Sequence, residues 1–190
     1  MRRQNKNISD IKRLHRLYNN GAIFVAFDTE TSSVTPTTGR IIEIGAIKFS
    51  KDKVLGTWDR IFNPEQKLSP FIVNLTHITQ QMVDFSDSIS FHLSDFSDFI
   101  KDTVLIAHNA QFDINFLKSE YEKSKIPKIK NYVADTLKLS RFFFPNFEHH
   151  KLEYLADKFN IDKGSSHRAY DDAKVCMKLF KICMNYECFL

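Results

Sequence analysis

The stretch from Ile23 to Thr31, Ile-Phe-Val-Ala-Phe-Asp-Thr-Glu-Thr, limits what this chain can fold into more than any other. Five apolar residues run directly into two acids separated by one threonine. Side chains of a strand alternate between its two faces, so Asp28 and Glu30 share one face of a sheet. Carboxylates held side by side at the end of a hydrophobic strand repel each other, and a divalent cation is the natural counter-charge. The plainer reading is a strand that runs out into a solvated turn. A D-x-E triplet alone does not choose between the two.

A length of 190 residues fits one domain with a real core. The formal charge of +4, from 27 basic and 23 acidic residues, is compatible with a polyanionic partner without requiring one. Cys176, Cys183 and Cys188 form no C-x-x-C pair, and an odd count without zinc spacing points to reduced thiols and a cytoplasmic setting. No apolar run approaches the ~20 residues of a membrane span, and no signal-peptide core is present, so no membrane partner is expected.

Residues 1–20 form a basic extension in which Ile8, Ile11, Leu14 or His15 and Tyr18 recur at helical spacing. It is either a helix packed on the domain with a solvated basic face or an arm that touches nucleic acid or a partner. After the turn at Asn20-Gly21, residues 21–190 are expected to form the main domain. Strands are expected at Arg40 to Phe49 and Val54 to Phe62, which with the first make an antiparallel meander. Glu43 lies inside the second, either facing the acids or partly solvated at an edge. A helical pattern from Ser90 to Ile100 then leads into a short strand at Thr103 to Ala107, so the sheet gains parallel members.

That strand ends at His108, with Asn109 expected to cap the next helix. Asp113 lies one turn before Phe116 and Leu117, on the face turned toward the sheet. A core-facing acid is costly unless paired or metal-bound; an early-turn aspartate favoured by the helix dipole is the alternative. Asn131 to Ala134 reads as a fifth strand, and Asp135 as an N-cap. In the final helix Asp172, Cys176, Leu179 and Cys183 follow a helical stripe, which turns Asp172 inward and Asp171 away. His167 falls in the loop before it.

Asp28, Glu30, Asp113 and Asp172 are thus expected on one side of a sheet. Hard oxygen ligands without cysteine or clustered histidine favour Mg²⁺ or Mn²⁺. Two such ions, roughly 3.5–4 Å apart, are the usual device for in-line displacement at phosphorus.

Three segments now carry a resemblance. Phe27-Asp28-Thr29-Glu30-Thr31, His108-Asn109-Ala110-Gln111-Phe112-Asp113 and His167-Arg168-Ala169-Tyr170-Asp171-Asp172-Ala173 resemble, in order and separation, the three motifs of the DnaQ-like, or DEDDh, exonuclease family. Arg40 to Ala46, Leu75 to Thr79 and Asp135 to Pro145 are similar to its connecting segments, so the likeness spans about residues 23–185. It implies an α/β, RNase H-like fold: a mixed five-stranded sheet flanked by helices. It implies metal-dependent 3′→5′ removal of single nucleotides from a nucleic-acid end. Asp28, Glu30, Asp113 and Asp172 would bind two Mg²⁺ or Mn²⁺ ions. His167 would be the general base that deprotonates the attacking water, fitting for a side chain whose ordinary pKa is ~6.5. Thr29, Thr31, Phe112 and His108 would contact the substrate.

Single-stranded or frayed DNA is the expected substrate. Short RNA is the alternative, and a non-catalytic nucleic-acid-binding module the less favoured one. Two departures stand out. His77 occupies a place where many relatives have glycine. The chain stops at Leu190, so the C-terminal segment that ties proofreading relatives to a polymerase is not expected here, and association with a DNA polymerase is possible without being implied.

Overall fold

The computed structural model describes residues 11–165 and 167–186. The first ten residues with Ile8, then Ser166, and the last four with Cys188 lie outside the described residues.

Among the described residues the chain forms a five-stranded sheet in the order β3-β2-β1-β4-β5. Strands β1 (Phe24–Thr31), β2 (Ile41–Phe49) and β3 (Val54–Ile61) form the antiparallel meander. β4 (Val104–Ala107) and β5 (Tyr132–Asp135) add in parallel on the other side of β1. The sheet is therefore mixed, as the strand–helix–strand pattern requires.

Period-two alternation along β1 divides the core between two faces. Phe24 and Ala26 pack with Val175, Leu179 and Phe180 of α8 (Ala169–Met184) and with Leu14 and Tyr18 of α1 (Ile11–Asn19). Val25 and Phe27 pack with Phe96 and Ile100 of α4 (Leu93–Ile100) and with Ile114, Phe116 and Leu117 of α5 (Gln111–Lys123). Helix α1, reached by the helical spacing of the basic extension, is anchored by side chains that are 0% and 1% exposed. Two short helices, α2 (Pro70–Thr76) and α3 (Gln80–Asp84), enclose a small cluster around Ile42. Helices α6 (Thr136–Phe143) and α7 (Leu152–Lys158) complete the α8 side.

One local expectation is corrected and one open reading is decided. Asn109 does not cap α5: it takes the left-handed region at φ 61°, and Ala110 occupies the cap position. Asparagine tolerates that region better than most residues, and the turn sends the chain from β4 into α5. The Asn109 N–H donates to Asp135 Oδ1 at 3.0 Å, and the same oxygen caps α6 by accepting from Leu137 N at 3.0 Å. Of the two readings left open for Glu43, the structure takes the first: it lies opposite Glu30 on the face of the acids. It is fully buried and ion-paired with Arg168, Nη2 to Oε1 at 2.6 Å.

His77 ends α2 in the left-handed conformation at φ 58°. Glycine adopts this conformation without steric cost, whereas a histidine is strained by it.

The first turn of α8 lies directly on β2 at Gly45. A Cβ there would stand 2.0 Å from Tyr170 N and 2.2 Å from Ala169 C, both backbone atoms. Gly45→Ala is therefore expected to cost about 3 kcal/mol, the upper end of ordinary overpacking. At roughly 2–4 °C per kcal/mol for a chain of this size, calorimetry should show Tm falling by about 6–12 °C. An unchanged Tm would contradict the close approach.

Candidate active site

The direction of the chain reverses at β1: β2 and β3 lie to one side of it, β4 and β5 to the other. In open α/β sheets ligands sit at such a switch point, beyond the carboxyl ends of the strands. β1 pairs with β4 only as far as Ala26 opposite Ile106. Asp28, Thr29 and Glu30 therefore project past the end of β4 into an unfilled edge.

Asp28 and Glu30 share the α8 face, as strand alternation predicts. Glu30 is 9% exposed and Asp28 half-buried. Asp172, in the first turn of α8, joins them: Glu30, Asp172 and His167 each offer a ligand atom within 4.8 Å of the others. His167 is exposed and sits at φ 60°, with its backbone N–H donating to Asp172 Oδ2 at 3.1 Å. A non-glycine residue in that region costs roughly 1–2 kcal/mol, here offset in part by the bond to Asp172.

Asp113 arrives by a different route from the one expected. Helix α5 packs on the opposite face of the sheet from α8, so the four acids do not line one side. Asp113 reaches round the end of β4 instead. Its Oδ1 accepts from Thr29 N at 3.0 Å and from Thr29 Oγ1 at 2.8 Å. The backbone donor that β4 is too short to satisfy is thus taken by a carboxylate, which fixes Asp113 beside Asp28.

These acids disturb one another. Burial, then the charges of Asp113, Glu30, Asp172 and Glu43, hold Asp28 well above the usual carboxylate range. Glu30 is pushed up to about 8, first by burial and then by Asp172, Glu43 and Asp113, with Arg168 partly offsetting them. Burial lifts Asp113 to about 7 against the Thr29 hydrogen bonds, and Asp172 to about 6 against its bond from His167. Among the described residues none donates a hydrogen bond to the carboxylates of Asp28 or Glu30. Carboxylates crowded together with no donor on two of them are unfavourable in their charged form until a cation enters. The all-oxygen donor set fits a hard divalent ion.

The expected substrate contacts have their polar atoms largely engaged. Thr29 Oγ1 donates to Asp113, and Thr31 Oγ1 to the Ser33 carbonyl at 2.7 Å, though each oxygen still has lone pairs to accept with. His108 has neither ring nitrogen free: Nδ1 meets Thr136 Oγ1 at 2.9 Å and Nε2 the His150 carbonyl at 2.8 Å. Phe112 is half-buried, its ring 5.0 Å from that of Phe116. An open cavity of about 290 Å³ adjoins His167 and Asp172, with Lys151 and Lys163 in its wall. Sequence reasoning passed over Arg168 and left Glu43 undecided. The signal available was a charged pair of opposite sign, one member inside a strand and one inside the third motif.

A mixed sheet of this strand order, with acids gathered at its switch point, is the arrangement of the RNase H-like fold. The sequence profile of the family RNase_T, described as Exonuclease, matches residues 25–180. The chain accordingly belongs to the DnaQ-like 3′→5′ exonuclease family, which depends on divalent metal. It is similar to the DNA polymerase III subunit epsilon of Treponema pallidum, 39% identical over 159 residues, covering 83% of this chain and 74% of that one. It is equally similar to the PolC-type DNA polymerase III of Listeria innocua, 39% identical over 153 residues, but spans 11% of that protein's length. Among solved structures, Exonuclease X in complex with 5′ overhanging duplex DNA shares the fold with a TM-score of 0.70 at 22% identity, covering 88% of this chain and 94% of that one.

An acid with a raised folded pKa binds its proton more readily in the fold than in the unfolded chain. Its contribution to stability is greatest below the unfolded value of about 4 and is lost as pH rises through the folded value. The metal-free protein in EDTA should therefore lose Tm as pH climbs from about 4 through about 6 for Asp172, about 7 for Asp113 and about 8 for Glu30. Mg²⁺ or Mn²⁺ should restore it at the upper end, and Asp28→Asn should raise the metal-free Tm there. A flat profile in EDTA would contradict the electrostatics.

Proposed function

We propose that this chain hydrolyses phosphodiester bonds at the 3′ end of single-stranded or frayed DNA and releases nucleoside 5′-monophosphates. The observation that carries the reading is the gathering of Asp28, Glu30 and Asp172 beside Asp113 with no hydrogen-bond donor on the first two. Such a cluster is suited to holding two Mg²⁺ or Mn²⁺ ions. When bound, ions of this kind activate water and stabilise the charge that develops on the attacking and leaving oxygens.

The chain's own groups supply the rest. His167, exposed beside Glu30 and Asp172, takes the proton of the attacking water. The water oxygen bonds to the phosphorus of the last linkage, the P–O3′ bond breaks, the departing O3′ takes a proton from solvent to become the 3′-hydroxyl of the shortened strand, and His167 returns its proton to solvent. Thr31 and Phe112 border the acids and contact the terminal nucleotide, the ring by its face and the hydroxyl oxygen as an acceptor. Thr29 acts chiefly by fixing Asp113. His108, with both ring nitrogens engaged, positions the loop at His150.

The choice of DNA over RNA is supported by relatives named as a DNA polymerase III subunit epsilon and a PolC-type DNA polymerase III. Their names also make attachment to a polymerase conceivable without requiring it. A cytoplasmic setting is supported by the free thiols of Cys176 and Cys183; no helix among the described residues is long and apolar enough to cross a membrane.

A time course on a 5′-labelled single strand tests the reading. A ladder shrinking one nucleotide at a time is expected with Mg²⁺ or Mn²⁺ and none with EDTA. Asp28→Ala and His167→Ala should each lose activity by at least about 10²-fold, the scale of acid–base and electrostatic contributions, while remaining folded. Wild-type rates in either variant would remove its assigned role, and faster digestion of a matched RNA would move the enzyme to the exoribonucleases.

A further inference from the structure

Glu43 lies directly across the β1–β2 ladder from Glu30 and is 0% exposed. Directly opposed residues share a face, so a second buried carboxylate stands next to the acids without belonging to them. Its oxygens are already taken. Arg168 Nε reaches Oε1 at 3.0 Å and Oε2 at 3.3 Å, Nη2 reaches Oε1 at 2.6 Å, and the Ala169 N–H donates to Oε2 at 2.8 Å.

That last bond is unusual in origin. The first N–H groups of a helix need acceptors, commonly from a side chain just before it. The cap residue of α8 is Arg168, which makes no such bond. A glutamate 126 residues away, on the neighbouring strand, supplies the acceptor instead. It brings negative charge to the positive end of the helix dipole as well. Gly45, two residues along β2, leaves room for the same turn to lie against the strand.

Two of the groups on which the proposed hydrolysis depends hang from this turn. His167 directly precedes Arg168 in a strained backbone conformation, and Asp172 follows within the first turn. We infer that the Glu43–Arg168 pair is a positioning device: it locks the start of α8 so that His167 and Asp172 stand against Glu30. The inference rests on the exonuclease reading above. Neither residue touches the substrate in this role.

The test is steady-state hydrolysis of a 5′-labelled oligonucleotide, well below the melting temperature, with folding checked by circular dichroism. Arg168→Gln and Glu43→Gln each leave a buried polar group half-paired, so the double variant E43Q/R168Q, which removes both charges, is measured beside them. Expected is a fall in kcat of about 10–100-fold, the scale for groups that orient metal ligands, with KM nearly unchanged. Arg168→Lys, which keeps the cation without the fork, should recover part of kcat. A folded double variant with wild-type kcat, or one whose loss lies in KM alone, overturns the inference. Should the double variant fail to fold, Arg168→Lys decides by the same measure: full wild-type kcat counts against the inference and a partial loss supports it. A wild-type protein that digests no strand sinks the exonuclease reading itself, a result distinct from any of these.

Discussion

The antiparallel register between β1 and β2 is the constraint from which the site follows. It sets Glu43 opposite Glu30 and Gly45 opposite Asp28. The first pairing puts an anchor for α8 next to an acid; the second provides a place with no side chain where the helix can touch the sheet. A slip of one residue would turn every side chain of one strand to the other face. Glu43 would then point toward α5, and α8 would meet Ile44 or Ala46 instead of a glycine. The hydrophobic alternation that resists such a slip is also what keeps the acids together.

The site is assembled from both sides of the sheet. Helix α8 comes down on one face, and α5 lies on the other. Their acids meet because β4 ends early and leaves a gap beside β1. Asp113 fills part of that gap by accepting the Thr29 N–H. The same bonds oppose the rise in its pKa that burial causes. Secondary structure and charge placement are here one problem: a missing strand residue creates the vacancy that an aspartate occupies.

Much of this was legible in the chain. The apolar run before Asp28, the alternation in β2 and the helical stripe through Asp172, Cys176, Leu179 and Cys183 located elements and inward-facing acids, since those signals are local. The Asp135 cap was likewise readable, and α6 begins with it. What escaped the sequence depends on partners distant along the chain. Asn109 looked like a cap by residue type, yet the turn between β4 and α5 demands a positive φ, which composition does not reveal. That Asp113 comes from the far face follows from the crossover that puts α5 there. The burial of Glu43 depends on Arg168, 125 residues later. Nothing in the neighbourhood of either residue announces that pairing.

The order in which the acids occur along the polypeptide has a consequence for how a cell makes this protein. Asp28 and Glu30 leave the ribosome well before Asp172 and His167, which lie on or beside α8, the last described helix. No nascent fragment that stops short of α8 can assemble the cluster, because Asp172 has yet to be synthesised. The strands of the sheet therefore precede, in synthesis, the last acid that the cluster needs.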